Sequence, residues 1–245
     1  MKFLGRVLPA PVLEPVKASV RRWEGQPPVD GVDFGDLRQV RPVSRAFGAD
    51  RGQAIDRYYV ERFLDSCRED IRGGALEIGE DCYTPRYGGG RIDSTDVLHV
   101  RDRDRQVTIV GDLSDAPHVS DESFGLTQTL QLFFYMLGAM GTLNRILAPG
   151  GVLLLTVPGI SQVAADREWG KTCCWASTGF AVERFLREGM RAPDITAAIH
   201  GNLLAETALL HGLATSEVTA GGLDAMDPDY QLLITARAVK GAAPS

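Results

Sequence analysis

The chain is poor in the residues that build metal and disulfide scaffolds. Its four cysteines are Cys67, Cys82, Cys173 and Cys174. None forms a CxxC pair, and the adjacent pair at 173–174 lacks metal-ligand spacing. The four histidines, His99, His118, His200 and His211, show no HxxxH or HxH cluster. These absences exclude a disulfide-rich miniprotein, argue against a structural zinc and suit a reduced, cytoplasmic protein. There is no excess of positive charge either. With 26 basic against 32 acidic residues the net charge is −6, so no nucleic-acid partner is expected. No apolar run reaches the roughly 18 residues of a membrane span. The opening stretch, MKFLGRVLPAPVLEPVKASVRRW, is interrupted by prolines and lacks a cleavage site, so it reads as mature protein and not as a signal peptide.

What remains is a chain of 245 residues, 44% hydrophobic and 24% charged, enough for one domain with a substantial core. Residues 1–50 are irregular and proline-broken, apart from a short basic helix expected at Val16–Trp23, and read as an N-terminal arm or lid. The main domain is expected at 51–240, with a tail at 241–245. Within it, Ala54–Glu69 has helical spacing, with Ile55, Tyr58, Tyr59, Arg62 and Phe63 recurring at three and four. Strands are expected at Ala75–Gly79, Arg91–Asp96, Gln106–Val110 and Phe124–Thr129. A helix is expected at Phe134–Leu147, then a strand at Val152–Val157 whose unbroken aliphatic run fits burial on both faces. Gly179–Glu188 and Asn202–Leu213 read as helices, and Ile195–Ile199 and Tyr230–Val239 as strands. Alternating strands and helices predict an α/β fold with a mostly parallel sheet.

Ligands of open parallel sheets bind outside the carboxyl ends of the strands, at the switch point of the strand order. The expected strand ends carry Glu77-Ile78-Gly79-Glu80-Asp81, then Asp96, then Gly111-Asp112-Leu113. Three carboxylates on one edge are costly to bury unless a cation or hydrogen-bond donors meet them. A ligand with positive charge, hydroxyls and an exocyclic amine suits such an edge.

Over roughly residues 40–240 the chain resembles the class I S-adenosylmethionine-dependent methyltransferases. Glu77-Ile78-Gly79 with the later Gly88-Gly89 is similar to their first motif, Asp96 to the acid ending the second strand, and Gly111-Asp112-Leu113 to the adenine-site motif. The stretch from Leu147 to Gly159, LAPGGVLLLTVPG, resembles the turn and fifth strand and is the most specific of these signals. Several stretches, among them Arg41–Gly48, Asp50–Gly52, Ile55–Tyr59, Leu126–Leu130, Gly201-Asn202 and Asp227–Lys240, resemble a bacterial subgroup found near glycosyltransferases or in natural-product clusters. Two departures stand out. The glycine-dense first loop is replaced by Asp81-Cys82-Tyr83-Thr84-Pro85, and WGKTCCWAS at Trp169–Ser177 replaces an aromatic and basic stretch.

The resemblance implies a Rossmann-like, doubly wound, seven-stranded and mostly parallel sheet with the last strand antiparallel. It also implies S-adenosyl-L-methionine as cofactor, S-adenosyl-L-homocysteine as product, and a small-molecule acceptor such as a sugar or specialised metabolite, methylated at oxygen. Its site would comprise Glu77 and Gly79 at the methionine end, Asp96 and Val97 at the ribose, and Asp112 and Leu113 at the adenine. Arg57, Tyr58 and Tyr59 on the preceding helix would face the methionine carboxylate. Gln128 would lie beside the transferring methyl, where Gln131, Tyr135 and Trp175 would line the acceptor pocket. Relatives often carry a histidine at the position of Gln131, and glutamine is no base; the candidate bases are His200 and His118, of which His200 is favoured. His118 reads as a surface histidine. A homodimer is the oligomer left open. Two alternatives stand beside this reading: a cofactor-binding enzyme catalysing a cyclisation or rearrangement, and a non-catalytic partner with a degraded site.

Overall fold

The computed structural model describes residues 15, 16, 19, 25–28, 31–102, 106–130, 136–162, 176–190 and 192–241. The chain divides into two compact units, Met1–Arg41 and Pro42–Ser245. In the first, the described residues form a 3-10 turn at Gly35–Arg38, with Asp33 Oδ1 accepting the Gly35 N–H at 2.9 Å. The helix expected at Val16–Trp23 lies mostly outside the described residues.

The second unit is built on a seven-stranded sheet. In chain order its main elements are α1 (Ile55–Ser66), β1 (Gly73–Ile78), α2 (Thr84–Gly88), β2 (Ile92–His99), β3 (Ile109–Val110) and β4 (Phe124–Leu130). They continue with α3 (Met136–Ile146), β5 (Leu147–Pro158), α4 (Gly179–Gly189), β6 (Asp194–His200), α5 (Leu203–His211), α6 (Ala220–Asp224) and β7 (Leu233–Val239). The spatial order is β3-β2-β1-β4-β5-β7-β6. β1 pairs in parallel with both β2 and β4, and β4 in parallel with β5. β7 inserts between β5 and β6 and runs antiparallel to both. This is the Rossmann-like sheet expected from the sequence.

Alternation along the strands sorts side chains into two cores. Leu153, Leu155 and Val157 of β5 face one layer with Leu143 of α3 and Val182 and Leu186 of α4. Val152 and Leu154 face the other, with Ile55, Tyr59, Val60 and Leu64 of α1 and Ala205 and Leu209 of α5. Both sides of β5 are therefore covered, which is why its sequence is an unbroken aliphatic run. The helix ends follow local chemistry. Thr178 and Asn202 accept the N–H groups of Ala181 and Ala205 at 3.3 and 3.0 Å, satisfying donors that a helix start leaves free. Gly212 closes α5 at φ +68°, a conformation that favours glycine.

Several elements differ from expectation; β5 begins at Leu147 and not at Val152, and β7 at Leu233 and not at Tyr230. β2 continues three residues past Asp96, to His99. β3 is only Ile109–Val110, because the Thr108 hydroxyl, rather than backbone, accepts the Val97 N–H at 2.9 Å. The loop after β1 folds into α2, which starts at Thr84-Pro85; proline suits a first helical turn because its missing N–H has no partner there.

Gly159 follows β5, and a Cβ there would stand 1.7 Å from the Gln231 carbonyl oxygen. Gly159→Ala is expected to cost about 3 kcal/mol in urea unfolding by forcing the backbones apart. Gly141→Ala, in the exposed interior of α3 with open space around the new methyl, is expected to stabilise by about 0.5–1 kcal/mol.

Candidate functional site

β1 sits where the strand order turns, since the chain passes from it to β2 on one side while β4 lies on the other. The crevice beyond the ends of β1 and β4 is therefore where this architecture places a ligand. Glu77 is one residue from the end of β1 and wholly buried. Its Oε1 accepts the Tyr83 N–H at 3.1 Å and its Oε2 the Thr84 N–H at 2.9 Å. Burial pushes its pKa up, the Thr84 and Tyr83 donors pull it back, and Asp81 adds to the rise. Sequence reasoning reserved this carboxylate for a ligand, but in the fold both oxygens hold the loop that follows β1. The signal for Tyr83 and Thr84 was present in the helix start at Thr84-Pro85.

Gly79 begins that loop at φ +98°, with no atom within 4 Å of where a Cβ would stand. Its N–H donates to the Leu98 carbonyl at 2.9 Å, tying the turn to β2. The loop is also braced from α1. Arg86 of α2 makes a two-pronged ion pair with Glu61 at 2.8 and 2.9 Å, and Arg57 reaches the Tyr83 hydroxyl at 3.4 Å.

The expected ribose acid is displaced. Asp96 lies inside β2, not at its end, and its Oδ1 accepts from the Thr108 hydroxyl at 2.7 Å. Val97 is buried beside it. The end of β2 carries buried His99, whose Nδ1 lies 3.0 Å from the Arg101 N–H. Asp102 follows, exposed. Asp112, just past β3, closes a turn by accepting the Ser114 N–H and hydroxyl at 2.8 and 2.7 Å. Leu113 is buried beneath it. On β4, Gln128 stands opposite Glu77 in the parallel register. Gln131, Tyr135 and Trp175 lie outside the described residues.

The remaining expected residues gather elsewhere. The Tyr58 hydroxyl donates to Asp224 at 2.7 Å, and the Tyr59 hydroxyl to the Leu223 carbonyl at 2.9 Å, so both tyrosines of α1 turn to α6 and away from the β1 loop. Burial pushes the Tyr59 phenol up to about 12. His200, at the end of β6, has Nε2 2.9 Å from the Thr235 hydroxyl and its ring 5.8 Å from that of Tyr59. Burial, with Arg62 nearby, lowers its pKa. These side chains line a lateral cleft of about 560 Å³ between α1, α6 and the β6–β7 surface. Since β5 and β7 intervene, β6 is three strand spacings, roughly 14 Å, from β4. His200 thus stands apart from the crevice at β1 and β4.

Among the described residues, no three His, Cys, Asp or Glu side chains cluster to hold a metal, and no helix is long and apolar enough to cross a membrane.

No family model matches the chain, and no curated protein is similar to it in sequence. Among solved structures it is similar to the N-methyltransferase NodS from Bradyrhizobium japonicum in complex with S-adenosylhomocysteine, at 17% identity and a TM-score of 0.48, over 77% of this chain and 88% of that one. It is similar to phosphoethanolamine N-methyltransferase 2 of Haemonchus contortus, in complex with S-adenosyl-L-methionine, at 14% identity and a TM-score of 0.46. That match covers 70% of this chain but only 49% of the other, so this chain spans about half its length. The CurJ carbon methyltransferase is similar at 12% identity and a TM-score of 0.44, covering 70% and 50% of the two chains.

Because the folded Glu77 pKa lies above the ordinary 4.5, the unfolded chain ionises first as pH rises. The stability this group contributes is complete below the unfolded value and is lost as pH climbs through the folded one. The advantage of the natural protein over Glu77→Gln is therefore expected to shrink in urea unfolding as pH is raised from below 4.5 through the range above it. A constant difference across that range would refute the assignment.

Proposed function

We propose that the chain is an S-adenosylmethionine-dependent methyltransferase acting in the cytoplasm on a small molecule, with oxygen as the accepting atom and a sugar or specialised metabolite as the acceptor. The observation that carries this reading is the open backbone at Gly79, held at φ +98° at the switch point of the sheet. A glycine there lets a ligand approach the main chain closely, and Glu77 fixes the loop around it. The resemblance of Glu77-Ile78-Gly79 and Gly111-Asp112-Leu113 to the family's motifs supports the same ligand.

The residues fit the cofactor in part. Gly79 and the loop to Thr84 would hold its methionine end, and Asp112 with Leu113 its adenine. Asp96 is turned to Thr108 within the sheet, so the carboxylate proposed for the ribose hydroxyls is Asp102, beyond the end of β2; a carboxylate offers two oxygens to two hydroxyl donors. When bound, the cofactor supplies a methyl group already activated by positive sulfur. The chain's own contribution is to align the acceptor and exclude water, which can lower the barrier by several kcal/mol without a strong acid or base. Gln128, opposite Glu77 in register, is proposed to position the reacting groups. His200 is assigned to the wall of the lateral cleft and not to proton transfer at the crevice.

Calorimetry with S-adenosylmethionine and S-adenosylhomocysteine is expected to show micromolar binding. Gly79→Val should abolish it. Asp102→Asn should weaken it about tenfold or more, since hydrogen bonds to charged groups are worth about 1.5–3 kcal/mol, while Asp96→Asn should leave it within about twofold. Absence of binding by the natural protein would overturn this reading in favour of a non-catalytic partner. Binding without transfer of labelled methyl to any sugar or metabolite acceptor would favour a different reaction at the same site.

A further inference from the structure

The two ends of the sheet are unlike. β3 closes one end with only two residues, and a short edge offers little to pair with. β6 closes the other with seven residues, in unbroken register with β7 and without a bulge. Its sequence, DITAAIH, contains no proline and no lysine, and Thr196, Ala197 and Ala198 at its centre are exposed. None of the usual protections of a free edge is present along those central residues.

Exposed apolar side chains gather around the same strand. Phe180, 84% exposed, follows Gly179, whose Cβ position is 2.9 Å from Ile199. Leu203 and Leu204, at 58% and 53% exposure, begin α5 just beyond the end of β6. Met226, 51% exposed, precedes Asp227, whose N–H donates to the Gly201 carbonyl at 3.0 Å. Asn202 binds these segments together by donating to the Gly222 and Ala225 carbonyls at 2.8 and 2.6 Å. These side chains flank the carboxyl end of the edge strand from both layers of the sheet.

We propose that β6 pairs antiparallel with β6 of a second copy of this chain, joining two sheets across a twofold axis at Ala197. A twofold interface must be self-complementary, so that each residue meets its counterpart reciprocally. The sequence of β6 meets that demand. Centred on Ala197, the pairing sets Thr196 against Ala198 and Ile195 against Ile199. Asp194, the acid of the strand, then falls opposite His200 of the copy and not against a like charge, which would destabilise the pair. The four apolar side chains at the carboxyl end add surface that strand pairing alone does not bury, and a stable interface needs about 800 Å² per partner. This inference does not rest on the methyl-transfer reading, since it concerns a surface away from the β1 crevice.

Sedimentation velocity of the natural protein should show a dimer at micromolar concentration. Ala197→Lys places two like charges at the axis and is expected to give a folded monomer with an unchanged far-ultraviolet circular dichroism spectrum, because position 197 is exposed, and with a thermal midpoint no higher than that of the dimer. Ala197→Cys should form a covalent dimer under mild oxidation that the natural protein, treated identically, does not form. A monomer at all concentrations would overturn the proposal, as would a dimer that survives Ala197→Lys and fails to cross-link through Ala197→Cys.

Discussion

The buried Glu77 carboxylate, held by the N–H groups of Tyr83 and Thr84, is the interaction on which the site depends. A carboxylate in the core is tolerable only where donors surround it. Here those donors belong to the loop that leaves the central strand, so burial of the charge and closure of the loop are one event. Tyr83 then stacks on Tyr87, with ring centroids 6.3 Å apart. The Glu61–Arg86 pair, itself partly exposed and worth little alone, links the short helix to α1. The open backbone at Gly79 is thus framed by structure on both sides.

Much of this was legible in the sequence. The aliphatic run of β5 and the three-and-four spacing of α1 located the strands and helices of the core, because burial on one or both faces dictates those patterns. The end of β1 was legible because a short apolar run closes on Gly79. Asp96 was not. Its expected place assumed that β2 ended at the acid, whereas Val97 and Leu98 carry the strand onward into the core and the exposed Thr108 hydroxyl donates to the acid. No local pattern announces a hydroxyl that stands in for a backbone partner eleven residues away. Tyr58 and Tyr59 misled for a related reason. Helical spacing says which residues share a face but not which neighbour that face meets, and here the neighbour is α6.

The lateral cleft separates two roles that sequence reasoning had merged. His200 and the tyrosines of α1 belong to the β6–β7 end of the sheet, with Arg237 at the far end of the same cleft. Arg237 meets Asp70 through two hydrogen bonds of 2.7 and 2.9 Å and Asp194 through a third of 2.9 Å. Its planar group thereby joins the turn after α1 to both outer strands. The β1 end carries the glycine loop, and the other end carries an ordered polar network.

The insertion of β7 between β5 and β6 also bears on how the chain acquires its structure. Strand β6 has no described neighbour except β7, which follows it in the chain beyond two helices. While the chain is being made, β1, β2, β4 and β5 can assemble in parallel as they emerge, but β6 has no described strand partner until β7 arrives. Both its edges stay unpaired for that interval, when unpaired strands are most prone to wrong association. The last strand to be synthesised is therefore the one that commits the whole outer third of the sheet.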